Sequence, residues 1–154
     1  MLVGYNAVVY GEPSVSGGYT EIFVDNATSL DMVSYLRNLA LALLSPTRGL
    51  LMWSPFLIIL LPGLGAAWRS APSWVRGGAL GGLLYLLVQL KANRYSGGSG
   101  FATYRYPLEA VTAAAPLLFL SYTKWVARRP TAVRAFVVAV GISIGAQALY
   151  ALVY

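Results

Sequence analysis

Residues 135–154 read AFVVAVGISIGAQALYALVY, twenty consecutive positions without a charged side chain. At about 1.5 Å of rise per residue, a helix of that length covers roughly 30 Å, the thickness of a bilayer's hydrocarbon core. Lipid offers no partner to a backbone N–H or C=O, so such a segment is expected to be a helix that satisfies its own hydrogen bonds. The whole chain has the same character. Of its 154 residues, 58% are hydrophobic and 10% charged, against roughly 25% charge in soluble domains. Sixteen charges are too few to clothe a water-facing surface of this size, which disfavours a soluble all-α core. The expected fold class is all-α: a polytopic transmembrane helix bundle of about four spans plus an interfacial helix.

Working back from that run, Lys124, Arg128, Arg129 and Arg134 surround Pro130, where a turn is expected. A second span covers about 106–123, with Pro107 in its first turn, where a helix tolerates proline best. A third covers about 74–92, and Arg76 and Lys91 near its ends can reach the headgroups along their apolar stems. Its Gly77, Gly78, Gly81 and Gly82 form two overlaid Gly-xxx-Gly pairs, and Gly141 with Gly145 makes another. Such small residues let helix backbones approach closely in lipid, and packing is favoured here over a ligand-facing groove. The fourth span, about 50–68, is interrupted by Pro55 and Pro62, each removing a backbone hydrogen bond that neighbours must replace. Trp53 and Trp68 suit its two interfaces, and residues 69–73 are expected to form a short turn.

Upstream, Met32, Tyr35, Leu36, Leu39, Ala40 and Leu43 recur at helical spacing, with Ser34, Arg37, Asn38 and Ser45 on the other face. A helix over 31–44 spans only about 21 Å, too short to cross, so it is expected to lie in the interface or to pack on the other spans. Pro46 ends it. Residues 1–30 carry turn chemistry at Gly11, Pro13, Gly17 and Gly18 and read as an extramembranous loop. The chain thus divides into 1–49, extracytoplasmic loop and interfacial helix, and 50–154, the bundle. The first positive residue is Arg37, so no basic signal-peptide region precedes the apolar segments.

Orientation follows from Lys and Arg in short loops. With four spans, the turns after 68 and after 123 share a face that holds six basic residues and no acidic one. The other face has Arg37, Arg48, Lys91, Arg94 and Arg105 together with all five carboxylates. The totals barely differ, but the tight cluster around Pro130 places both short turns in the cytoplasm. The loop at 93–109 is then extracytoplasmic.

The net charge of +6 does not mark a nucleic-acid binder, because the basic residues stand singly or in small groups at the ends of apolar runs. Cysteine and histidine are both absent, which removes thiolate and imidazole chemistry. Under this topology the outer face collects Arg48, Arg94, Arg105, Glu109, Tyr95, Tyr104 and Tyr106. A guanidinium's donor fork matches phosphate oxygens. Three of them beside Gly97 and Gly98, whose backbone N–H groups are sterically open, suit a lipid-linked phosphate. The plainer reading is that each arginine anchors a helix end to the headgroups. Glu109 falls one turn inside a span, where a carboxylate is a functional candidate. An ion pair with Arg105, four residues earlier, explains it nearly as well.

Tyr5-Asn6, Gly11-Glu12-Pro13 and Gly18-Tyr19 precede Ser45-Pro46-Thr47-Arg48-Gly49-Leu50-Leu51-Met52-Trp53-Ser54-Pro55. Together they resemble the later part of bacterial polytopic glycosyltransferases of the GT-C class, such as protein mannosyltransferases and actinobacterial cell-wall arabinofuranosyltransferases. Gly97-Gly98-Ser99-Gly100-Phe101, Tyr104-Arg105-Tyr106 and Pro116 resemble, more loosely, that family's glycine-rich outer loop and following span. The resemblance implies transfer of a sugar from a polyprenyl-phosphate donor to a glycan or protein acceptor outside the cytoplasmic membrane of a bacterium. Arg48, Arg94 and Arg105 would then meet donor phosphate, with the tyrosines stacked on sugar. Such enzymes carry their catalytic carboxylate in the first outer loop, and Glu12, Glu21, Asp25 and Asp31 have no preceding span here. The chain is therefore expected to be a C-terminal part that supplies donor- and acceptor-binding walls, partnered by missing N-terminal spans. No cofactor is implied for this part, though the resemblance leaves room for a divalent metal in a full-length enzyme. The alternative is a non-enzymatic multi-span protein: a transporter or flippase subunit, or a scaffold partner. Transporters place polar groups at mid-bilayer depth. Here the spans' middles hold little besides Ser54, Ser143 and Gln147, which counts against transport.

Overall fold

A computed structural model describes residues 4, 7–9, 11, 25–29, 31–93, 95 and 106–153. Among them the secondary structure is helical, with no strand. Helix α1 is Met32–Leu44, α2 is the single turn Leu50–Trp53, and α3 runs through Phe56–Ser70. Helix α4 is Ser73–Ala92, α5 is Tyr106–Ser121, and α6 is Pro130–Val153. A π-helical stretch, Tyr122–Val126, prolongs α5. Of the described helices, α6 alone is both long enough and apolar enough to cross a membrane. Only 6% of its most apolar stretch is buried among the described residues. Ile142, Ile144, Leu149 and Leu152 on α6 lie exposed, as do Leu84 on α4 and Phe119 on α5.

The prolines act where the sequence places them. Ser54 and Pro55 separate α2 from α3, and Pro62 sits in a 3₁₀ turn, Leu61–Gly63, inside α3. In that turn the Leu64 N–H donates to Leu61, which withdraws the regular α-helical partner of the Leu60 carbonyl. The fully buried Ser121 hydroxyl of α5 also donates to Leu60. A Cβ at Gly63 would collide with Ser121, so this site needs both a glycine and a serine.

Helix α5 is the common support. Along the chain, Leu57 and Leu60 share a cluster with Val126, and Gly63 meets Ser121 and Trp125. Ala67, Ala71 and Val75 then surround Leu117, Gly78 faces Ala113, and Gly82 faces Ala110. Last, Leu90 clusters with Ala110 and Tyr106. The partners descend in order, so α3 and α4 both run antiparallel to α5 and occupy successive lengths of it. They do not pack as a pair. This corrects the expected reversal at 69–73. Ala71 and Pro72 are both extended, and the small, buried Ala67 and Ala71 seat the junction on α5 rather than folding α4 back on α3.

Only half of the glycine pattern in α4 packs. A Cβ at Gly82 would stand 2.9 Å from the Ala110 carbonyl and from the Ala113 Cβ, and one at Gly78 would stand 3.2 Å from the Ala113 carbonyl. Gly77 and Gly81 meet nothing within 4 Å, and neither do Gly141 and Gly145. Helix α6 leans on α3 through Phe56 and Phe136, whose rings are 5.8 Å apart, and on α2 through Trp53 and Tyr150 at 5.5 Å.

Helix α1 packs on α2 and α4, but not with the face its apolar residues suggest. Tyr35, Asn38, Leu39, Ala42 and Ser45 turn inward, whereas Met32, Val33, Leu36, Leu43 and Leu44 stay exposed. At 100° per residue the exposed set, with Ala40, fills an arc of roughly 120°.

Gly82→Leu should prise α4 from α5 and destabilise the fold by about 1–3 kcal/mol. Gly81→Leu, one residue away on an open face, should change it little. Thermal melts in detergent compare the two.

Candidate functional site

A group of polar side chains gathers at the C-terminal end of α4, where α1 packs on it. A helix leaves its last carbonyls without internal partners. There the Asn38 amide donates to the Leu90 carbonyl at 3.2 Å and to the Asn93 carbonyl at 3.3 Å. The Asn93 amide in turn donates to the Gln89 side chain at 2.8 Å. Lys91 donates to both the carbonyl and the hydroxyl of Ser29 and lies 5.8 Å from the Tyr35 ring centroid. Asp31 caps α1, accepting from the Ser34 N–H at 3.0 Å. Hydrogen bonds from the Ser34 hydroxyl, then from its N–H, hold the Asp31 carboxyl below its ordinary value, and the Lys91 charge acts in the same direction.

Between these groups lies a cavity of about 770 Å³, within the roughly 300–1,000 Å³ range of ligand pockets. Arg37, Asn38, Lys91, Asn93, Tyr35 and Tyr95 line it, with Asn26, Ser29, Asp31, Ser34, Leu41 and Ala92. Two cations face one carboxylate, and the remaining lining is rich in amides, hydroxyls and aromatic rings. Such a wall suits an anion that also carries hydroxyls. Among the described residues no three carboxylates gather to hold a metal ion.

Of the residues singled out in the sequence, Tyr95 belongs to this cavity and packs beside Leu86 and Leu90. Arg48 is half-buried in the turn between α1 and α2 and is not part of the cavity wall. Glu109 is exposed on the first turn of α5. Arg94, Gly97, Gly98, Tyr104 and Arg105 lie outside the described residues, and so does the Arg105–Glu109 pair. Sequence reasoning passed over Arg37, Asn38, Lys91 and Asn93 as ligand-facing groups. The available signal was the spacing Ser34, Arg37, Asn38, Leu41, one helical stripe that is polar at three of four positions.

The turn holding Arg48 is knotted by its own sequence. The Ser45 and Thr47 hydroxyls are 3.2 Å apart, and the Trp53 indole N–H donates to the Thr47 carbonyl at 3.0 Å. Any Cβ at Gly49 would strike the Ser45 backbone. Ser45, Thr47, Gly49 and Trp53 each therefore have a structural part in this turn.

Replacing Asn38 with Leu strands the Leu90 and Asn93 carbonyls and should cost about 1–3 kcal/mol. A lowered melting temperature and faster hydrogen exchange in the last turn of α4 would register it. Because the Asp31 value is lowered in the fold, its contribution to stability is complete above the ordinary carboxylate range. It is lost as pH falls through the lowered value. The difference in melting temperature between the parent and Asp31→Asn should hold steady above about pH 5 and shrink below about pH 4.

No protein-family model, curated protein or solved structure matches this chain.

Proposed function

We propose that this chain is part of a multi-pass membrane glycosyltransferase that moves a sugar from a polyprenyl-phosphate donor to an extracytoplasmic glycan or protein. It would supply binding walls rather than the catalytic carboxylate. Helix α6 serves as a full crossing, α5 with its π extension crosses beside it, and α3 followed by α4 lines that length of α5 in the opposite direction, while α1 lies in the interface with its exposed apolar arc toward lipid. The membrane in question is the cytoplasmic membrane of a bacterium, with 93–109 outside. Its cytoplasmic side is marked by the basic turn before α6, where the Arg129 guanidinium lies 3.5 Å from the centroid of the Trp125 ring.

The observation that carries the proposal is the knotted turn at Ser45–Trp53. Residues of the motif that resembles the GT-C enzymes interlock there, and they fix the backbone of Arg48 at the point where α1 meets the bundle. A backbone so fixed roots the Arg48 side chain at a defined point, and its guanidinium fork matches phosphate oxygens. The exposed apolar surface of α4, α5 and α6 supports a lipid setting.

Two measurements test it. The chain has no cysteine, so single replacements can be labelled without background. Ser99→Cys should react with an impermeant maleimide in intact cells, and Thr131→Cys only after permeabilisation. The reverse pattern, or equal labelling, would sink the orientation. In the longest in-frame protein containing this chain, Arg48→Ala should raise the KM for polyprenyl-phosphate-sugar by roughly tenfold or more. Unchanged donor kinetics would remove Arg48 from the site.

A further inference from the structure

We propose that the cavity between α1 and the C-terminal end of α4 binds a phosphate ester whose remaining part bears hydroxyl groups, with Arg37 and Lys91 as its cations. This site is distinct from the Arg48 turn. Its lipid-borne form rests on the membrane placement proposed above, and its soluble form does not.

Charge comes first. Arg37 is exposed on the cavity wall and makes no hydrogen bond among the described residues, so its five-donor fork is open to an oxyanion. Lys91 has three N–H donors. Ser29 takes two of them, which aims the ammonium while leaving one donor for a ligand. The opposing carboxylate, Asp31, is turned to the N-terminus of α1 by its bond from Ser34, so its charge is largely met by that helix end. The cavity keeps a net positive wall.

Size and lining decide the rest of the ligand. A bare phosphate would leave most of about 770 Å³ unfilled. Asn26 and Asn93 offer amide groups to further oxygens, the Ser34 hydroxyl can accept from a ligand hydroxyl, and the half-buried rings of Tyr35 and Tyr95 offer flat faces of the kind on which a sugar ring stacks. Asn38 is a positioning residue: its amide N–H groups are committed to Leu90 and Asn93, which ties the Arg37 helix to the Lys91 helix. The exposed apolar arc of α1 adjoins this polar stripe on the same helix, so a headgroup attached to an acyl or prenyl chain could enter the cavity while its tail stays in lipid.

The test uses the full chain, purified and placed in nanodiscs. Glucose 1-phosphate, glucose and inorganic phosphate are titrated as soluble probes and read by intrinsic fluorescence. Phosphatidylglycerol in place of phosphatidylcholine gives the lipid arm, read by retention of the lipid in native mass spectrometry. Glucose 1-phosphate should bind more tightly than either of its parts. Arg37→Gln and Lys91→Gln should each weaken binding roughly tenfold or more, Lys91→Arg should restore most of it, and Arg69→Gln should leave it unchanged. Selective retention of phosphatidylglycerol that both Gln variants abolish supports a lipid-borne ester. Glucose 1-phosphate binding without lipid selectivity supports a soluble one. Glucose binding as well as its phosphate, or affinities untouched in folded Gln variants by circular dichroism, would overturn the site. A failed site with the expected cysteine labelling would leave the membrane reading standing, and an intact site with reversed labelling would do the opposite.

Discussion

At two places where a helix is broken or ends inside the fold, a side chain from a distant helix bonds to its backbone. In lipid such a requirement is strict, since an unpaired carbonyl costs several kcal/mol when no water can reach it. Ser121 donates to the Leu60 carbonyl at the 3₁₀ turn around Pro62. Asn38 closes the end of α4 at Leu90 and Asn93. Each bond joins two helices as well as mending one. The packing of α3 on α5 and of α1 on α4 therefore depends on the same polar contacts that make proline and helix ends tolerable.

Around those bonds the fit is set by small residues. Gly78 and Gly82 bring α4 onto Ala110 and Ala113, and Gly63 lets the 3₁₀ turn reach Ser121. Ala67 and Ala71 seat the junction between α3 and α4. Many large apolar side chains point outward, with Phe119, Leu84 and Ile144 all mostly exposed. Small residues inside and large ones outside is the pattern expected when the solvent is itself apolar, because burying a leucine then gains little and close van der Waals contact gains more.

The helices were largely legible in the sequence because their signals are local. The charge-free run in α6, the breaks at Pro55 and Pro62, and Pro107 at the start of α5 each act over a single turn. What the sequence did not convey was which faces meet. Gly77 and Gly78 are indistinguishable by composition, yet only Gly78 meets α5. The apolar residues of α1 suggested that Met32, Leu36 and Leu43 would pack. Instead Asn38 and Ala42 do, because the orphan carbonyls at the end of α4 favour an amide over a leucine. The direction of the chain at Ala71 and Pro72 was equally hidden, since two extended residues can reverse a chain or continue it and only α5 decides. The cavity escaped for a similar reason: Lys91 and Arg37 lie 54 positions apart and become neighbours only once α1 crosses α4.

The bond between Ser121 and Leu60 also has a history in time. The two residues are separated by 61 positions. At a synthesis rate of about 5–20 residues per second, roughly 3–12 seconds pass between the appearance of the broken helix and that of the hydroxyl that mends it. During that interval the 3₁₀ turn lacks its buried contact with α5, so the seat of the earlier helix is completed only when the later one arrives.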